Sequence, residues 1–199
     1  KDAKKWFFKC LAMLAALLGL TAITVVIVDP YFHYHGPFSF FSYKLYDERY
    51  TNDGISRHFD FDALITGTSM AQNFKPSEMD SLFGTNSVKE TFSGAGYQEI
   101  ADNLDRALTR NGKVTTVLWT LDYNGLLRDY DWAQYEEYPT YLYDDNPFND
   151  VSYLFNKSVF YHNVLSNIER TLSGEPSVTM DEYSSFRAET GLNQILMSY

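Results

Sequence analysis

Three polar turns in this 199-residue chain carry the side chains best suited to chemistry. Ser69 ends Gly67-Thr68-Ser69, Gly94 lies in Ser93-Gly94-Ala95-Gly96, and Asn124 follows Asp122-Tyr123. A serine in a tight turn is a candidate nucleophile toward a carbonyl carbon. It then needs a base for its proton and donors for the oxyanion that forms. The candidate donors are the backbone N–H groups of Ser69 and Gly94 and the side-chain amide of Asn124. Losing one such donor typically costs about 3 kcal/mol of transition-state stabilisation. The base must be sought among His33, His35, His58 and His162. Only His162 follows the third turn, inside an apparent helix, where a surface or core role competes with that of a base. The other three residues have plain structural roles as well. Ser69 suits a helix cap, Gly94 and Gly96 a tight turn, and Asn124 a turn cap. Their order, each at the end of a run that reads as a strand, favours the chemical reading.

Those runs are the elements that must position them. Residues 59–66 end in Ala63-Leu64-Ile65-Thr66 before the Gly67 turn, which predicts a strand. Pro76 opens a short helix that Gly84 closes. Residues 86–92 read as a second strand. Residues 97–110 carry Ile100, Leu104, Ala107 and Leu108 on one face with Gly112 as a stop, the pattern of an amphipathic helix. Residues 114–121 form a β-branched run typical of a buried parallel strand. Strand, helix, strand, helix, strand predicts an α/β fold with a parallel sheet. Ligands of such sheets bind at the carboxyl ends of the strands, where the three turns converge. Beyond Asn124 the pattern weakens. Residues 130–161, crowded with Tyr, Asp and Asn, read as a long ordered insertion, and residues 151–172 as a helix.

At these residues the chain resembles the SGNH (GDSL-like) hydrolase superfamily. The family's sequence blocks centre on a Ser in a Gly-Asp-Ser turn, a Gly after the second strand, an Asn after the third, and a C-terminal Asp-x-x-His. Gly67-Thr68-Ser69 resembles the first block, with Thr68 in place of Asp. Gly94 resembles the second. Asn124 resembles the third, flanked by Asp122 and Gly125 where the family has Gly and Asp. The fourth block is missing, since none of the four histidines has Asp three residues before it. The likeness covers roughly residues 59–125. It implies a three-layer α/β/α, flavodoxin-like parallel sheet and a serine esterase or O-acyltransferase that uses neither cofactor nor metal. Ser69 would be the nucleophile, with Gly94 and Asn124 in the oxyanion hole. Family domains carry Asp-x-x-His near the end of a longer chain, so the expected base lies beyond Tyr199, with His162 as the alternative. The layout of tail, anchor and domain looks like the branch that includes the D-alanyl-lipoteichoic acid transfer protein and polysaccharide O-acetylation proteins. That likeness implies a cell-surface polymer or lipid-linked glycan as substrate, and a multi-pass membrane O-acyltransferase as partner.

Charge and hydropathy set the location. The net charge is -10, but Lys1, Lys4, Lys5 and Lys9 lie in residues 1–28 with the single acid Asp2. The other 12 basic and 25 acidic side chains leave -13 on residues 29–199, a balance that repels nucleic-acid phosphates. Residues 10–28 are nineteen uncharged residues, about 28 Å as a helix against a hydrocarbon core of ~30 Å. Lysines before the run and Asp29 after it predict a cytoplasmic N-terminus. The run ends without a small-x-small cleavage site, so an uncleaved anchor is expected rather than a signal peptide. The expected division is a basic tail at 1–9, an anchor at 10–28, an aromatic juxtamembrane connector at 29–51 and an extracytoplasmic domain at 52–199, incomplete at its C-terminus. His33 and His35 read as members of the aromatic belt in that connector. The lone Cys10 excludes an internal disulfide. Two other functions remain open. One is a non-catalytic anchored module whose aromatic and acidic loops bind a glycan or a partner. The other is a scaffold whose anchor packs through Ala12, Ala15, Ala16 and Gly19.

Overall fold

The computed structural model describes residues 2–45, 47–132 and 139–185. It opens with helix α1, Asp2–Val28, which is long and apolar enough to cross a membrane. Its leucines face outward, and only Val25 and Val28 are buried, so α1 is not the core helix of a soluble domain. The hydroxyls of Thr21 and Thr24 donate back to the carbonyls of Leu17 and Leu20 at 3.0 and 2.8 Å, satisfying both within the helix.

The chain leaves α1 through Asp29, at φ 39°. Its carboxylate accepts the N–H groups of His33, Tyr34 and His35 at 3.0, 2.7 and 2.9 Å and the Tyr153 hydroxyl at 2.8 Å. Burial raises the Asp29 pKa against the pull of those bonds. The ring of His35 reaches back so that Nε2 lies 2.9 Å from the Val26 carbonyl, one of the unpaired carbonyls at the helix end. Residues 29–45 are therefore not a bare connector. Tyr31, Phe32, Tyr43 and Leu45 are core residues, and the folded unit begins well before residue 52. An aromatic loop has no periodicity to announce which of its rings turn inward.

Helix α2, Glu48–His58, follows, and it too is absent from the sequence reading. Seven of its eleven residues are buried, and only Ile55 among them is a large apolar side chain. It is held by polar contacts instead. Asn52 donates to the Thr91 carbonyl at 2.8 Å, and Asp53 receives Arg57 at 2.6 Å as well as Arg110.

The sheet has the expected parallel α/β pattern. Strands β1 (Ala63–Gly67), β2 (Ser87–Thr91) and β3 (Thr116–Trp119) run parallel in the order β2-β1-β3. Helix α3 (Pro76–Phe83) joins β1 to β2, and α4 (Tyr97–Arg110) joins β2 to β3. Gly84 ends α3 in the left-handed conformation, as its position predicts. Alternate residues of β1 meet different helices, as the strand period requires. Leu64 clusters with Ile55 of α2 and Ala107 of α4, whereas Ala63 and Ile65 cluster with Met79 of α3. The third strand departs from expectation. Val117 and Leu118 are 38% and 37% exposed, because β3 pairs with β1 alone among the described residues.

A short helix α5 (Tyr123–Leu126) follows β3. Residues 133–138 of the predicted insertion lie outside the described residues, and residues 140–142 form a 3-10 turn. The helix predicted over 151–172 is broken into α6 (Val151–Leu154), a π-helical turn at Val159–Val164 and α7 (Leu165–Ser173). Asn156 causes the break: its side-chain oxygen accepts the N–H groups of Ser158 and Val159 at 2.8 and 3.3 Å, starting a new helix end inside an otherwise periodic run.

Candidate functional site

In the order β2-β1-β3 the chain first steps from β1 to β2, then returns past β1 to reach β3. The carboxyl ends of strands at such a reversal are the usual ligand position in sheets of this kind. The register aligns the ends: Gly67 of β1 pairs with Thr91 of β2, and Thr66 with Trp119 of β3. The turns holding Ser69, Gly94 and Asp122 therefore leave from one edge.

Gly67 leaves β1 at φ 148°, and a Cβ there would overlap the Thr120 hydroxyl, so both conformation and space require glycine. Thr68 follows, and its hydroxyl donates to the Asp122 carboxylate, tying the end of β1 to the turn after β3. The same hydroxyl oxygen accepts the Met70 N–H at 3.3 Å. Ser69 opens a 3-10 turn, Ser69–Ala71, and is half-buried. Among the described residues its hydroxyl has no hydrogen-bond partner, and its N–H donates to none.

The turn that carries Gly94 is clamped by two neighbouring residues of α2. Glu48 accepts the Ser93 N–H at 2.7 Å, and Arg49 donates to the Ser93 carbonyl at 2.9 Å. Gln72 adds a bond to the Ser93 hydroxyl at 2.6 Å. Arg49 is itself fixed by a two-point pairing with Glu99 at 2.7 and 2.9 Å. Gly94 stands at φ 65°, half-buried, and its N–H has no acceptor among the described residues. Two unused backbone donors thus flank the rim at the ends of adjacent strands.

Asn124 lies in α5, one turn beyond β3, so its backbone belongs to the same edge. Its side chain falls outside the described residues. His162 belongs to the π-helical turn and lines a pocket with Tyr31, Lys44, Asp47, Ser158 and Asn163. No hydrogen bond links it to Ser69 among the described residues. In that pocket Asn163 donates to the Tyr31 hydroxyl at 2.8 Å, and burial raises the pKa of Asp47.

Beneath the rim lie two buried ionisable groups of β2 on opposite faces. Lys89 donates to the carbonyls of Gln72 at 2.7 Å and Asp181 at 3.2 Å, and burial lowers its pKa to about 8. Glu90 receives Ser56 of α2 at 2.8 Å and Asn103 of α4 at 2.6 Å, and burial pushes it up to about 8. Sequence reasoning misses these, and it misses Glu48 too. Glu48 also accepts the Thr91 hydroxyl at 2.8 Å, the side-chain amide N–H of Gln72 and the hydroxyl of Ser184. The alternation of β2, with Val88 and Glu90 on one face and Lys89 and Thr91 on the other, was the available signal for the first two. Glu48 had none, since its helix shows no apolar stripe.

The chain matches no protein-family model, no curated protein and no solved structure.

Proposed function

We propose that the chain is a membrane-anchored serine esterase or O-acyltransferase of the SGNH type, acting outside the cytoplasm on acyl esters of a cell-surface polymer or lipid-linked glycan. The observation that carries this reading is the rim itself. Among the described residues the Ser69 hydroxyl, past the carboxyl end of β1, has no hydrogen-bond partner, and the N–H groups of Ser69 and of Gly94, past the end of the adjacent strand, have no acceptor. The helices on either face of β1 agree with the three-layer arrangement of that superfamily. Thr68 stands in the place of the family's Asp, and Asp122 supplies a carboxylate to the same turn from β3.

The chemistry follows from these groups. The Ser69 oxygen attacks the ester carbonyl while its proton passes to a base, for which His162 is the candidate in this chain. Negative charge on the carbonyl oxygen is met by the Ser69 and Gly94 N–H groups and the Asn124 amide. The base returns the proton to the departing alcohol, leaving an acyl-serine. Water, or a hydroxyl of an acceptor polymer, then attacks that ester with its proton going to the same base, and serine is regenerated. A multi-pass O-acyltransferase would be the source or recipient of the acyl group.

A second reading, a non-catalytic anchored binding module, draws on the same rim, because no ionisable side chain among the described residues hydrogen-bonds the Ser69 hydroxyl. A fluorophosphonate probe separates the two. Covalent labelling of the full chain in its membrane, lost in Ser69→Ala, is the outcome expected of the enzyme. A folded chain that takes up no probe overturns it in favour of the binding module.

A further inference from the structure

Several aromatic rings after α1 remain exposed, and two of them lie in the stretch 37–40. Phe38 and Phe40 are 39% and 65% exposed, with their rings stacked at 5.1 Å and 11°. No charged side chain occurs from residue 36 to residue 43, in a domain otherwise strongly acidic. These rings also stand close to the end of the apolar helix. The His35 ring bonds to the Val26 carbonyl at 2.9 Å, and the Phe38 ring packs against it at 4.3 Å, tilted by 33°. Val26 lies about 3 Å inside the outer end of the apolar run at Val28, at 1.5 Å per residue. The Phe38–Phe40 pair therefore sits level with the boundary between hydrocarbon and headgroups whenever α1 spans a bilayer.

Nor can the patch swing away. Phe38 donates its N–H to the Tyr43 hydroxyl at 3.2 Å, and Tyr43 is core. Val25 and Val28 of α1 are enclosed with Tyr153, Val159 and Val164, and the Asp29 cap fixes the exit. No free linker separates the anchor from the domain.

We propose that this patch is a lipid-docking surface: the domain rests directly on the outer face of the bilayer, with Phe38 and Phe40 inserted at the headgroup–acyl boundary. Exposed aromatic rings favour that depth, and the absence of nearby charge lowers the cost of entry. The proposal rests on the reading of α1 as a membrane span. Its consequence is that the Ser69 rim is held at a fixed height and orientation above the membrane, which would restrict substrates to polymers or glycans within reach of that surface.

The test uses the full chain with Cys10→Ser in phosphatidylcholine nanodiscs, carrying an environment-sensitive fluorophore on one new cysteine at a time. Position 40 (Phe40→Cys) should show blue-shifted emission, quenching by lipids spin-labelled near the headgroup, and protection from aqueous iodide. Position 82 (Leu82→Cys), on the exposed face of α3, should show the reverse. Position 17 (Leu17→Cys), in the middle of the apolar run, reports the anchor and should be quenched by spin labels deep in the acyl chains. If position 17 is quenched while position 40 behaves like position 82, the docking surface is overturned and the anchor stands. If position 17 escapes lipid quenching as well, the anchor reading falls and the docking surface with it.

Discussion

Ser69 makes no hydrogen bond through its hydroxyl among the described residues and sits on a half-exposed rim, so removing that oxygen falls on chemistry and not on folding. Ser69→Ala should change stability by less than about 0.5 kcal/mol, as exposed substitutions do, while abolishing probe labelling. Glu90 is the opposite kind of residue. It is fully buried with two neutral donors, and burial raises its pKa to about 8 against the pull of those bonds and of the Arg106 charge. Below about pH 4.5 the carboxyl is protonated in both folded and unfolded chains. Between there and about pH 8 the unfolded chain releases the proton and the folded chain keeps it, so stability falls as pH rises through that window. Each pH unit is worth up to about 1.4 kcal/mol. Glu90→Gln should remove this slope, leaving stability near wild type at pH 4.5 and raising it by a few kcal/mol at pH 8. Thermal unfolding at the two pH values checks this; a variant less stable than wild type at pH 8 would contradict it. The buried Asn103 Oδ1, which has no partner, becomes the natural acceptor for an amide at position 90.

At the scale of the element, α2 is the part of the molecule most dependent on its context. It buries Glu48, Thr51, Asn52, Asp53 and Ser56 and gains little from apolar burial. Isolated, it would have little reason to be helical. Gly54 shows how closely it is fitted. A Cβ at that position would overlap the carbonyl oxygens of Tyr31 and Phe32, which cross the helix there. Helix propensity alone favours Gly54→Ala by about 1 kcal/mol. Here the substitution should instead destabilise by about 2 kcal/mol or more, because backbone rather than a flexible side chain must move. Gly112→Ala, where a Cβ meets open space, is the matched control and should stay within about 1 kcal/mol of wild type. Denaturant unfolding of the two variants measures the difference. Since α2 also supplies the Glu48 and Arg49 clamp, a shift of the helix would reach the Gly94 turn.

For the whole molecule the governing fact is asymmetry. A basic tail precedes an apolar helix, and an acidic α/β unit follows it. If lysines hold the tail in the cytoplasm, the rim of Ser69 and Gly94 faces outward. In intact cells, Leu82→Cys in a Cys10→Ser background should then react with a membrane-impermeant maleimide. Lys5→Cys in the same background should react only after lysis. Labelling of the tail but not of position 82 would reverse the orientation and remove cell-surface polymers from the substrate class.

The sequence by itself determined the elements that follow from local regularity. The nineteen uncharged residues before Asp29 lie in α1, the stripe of Ile100 and Ala107 became α4 at the predicted residues, and the three expected strands run parallel with Gly84 closing α3. Periodicity, caps and turn residues act over a few positions and can be read there. Contacts between distant positions decided the remainder. Tyr31, Phe32 and Tyr43 are core residues because the rest of the fold encloses them, although their loop looks like a membrane-facing connector. The helix at Glu48–His58 exists because Thr91, Glu90 and Ser93 complete its polar groups from 34 to 45 residues away. Residues 151–172 look periodic, yet Asn156 breaks them. At the candidate site, the turns of Ser69 and Gly94 were legible as strand ends, and the Thr68–Asp122 tie and the Glu48–Arg49 clamp were not. A hydrogen bond between residues far apart in the chain leaves no period in the sequence, so only the tertiary structure could reveal it.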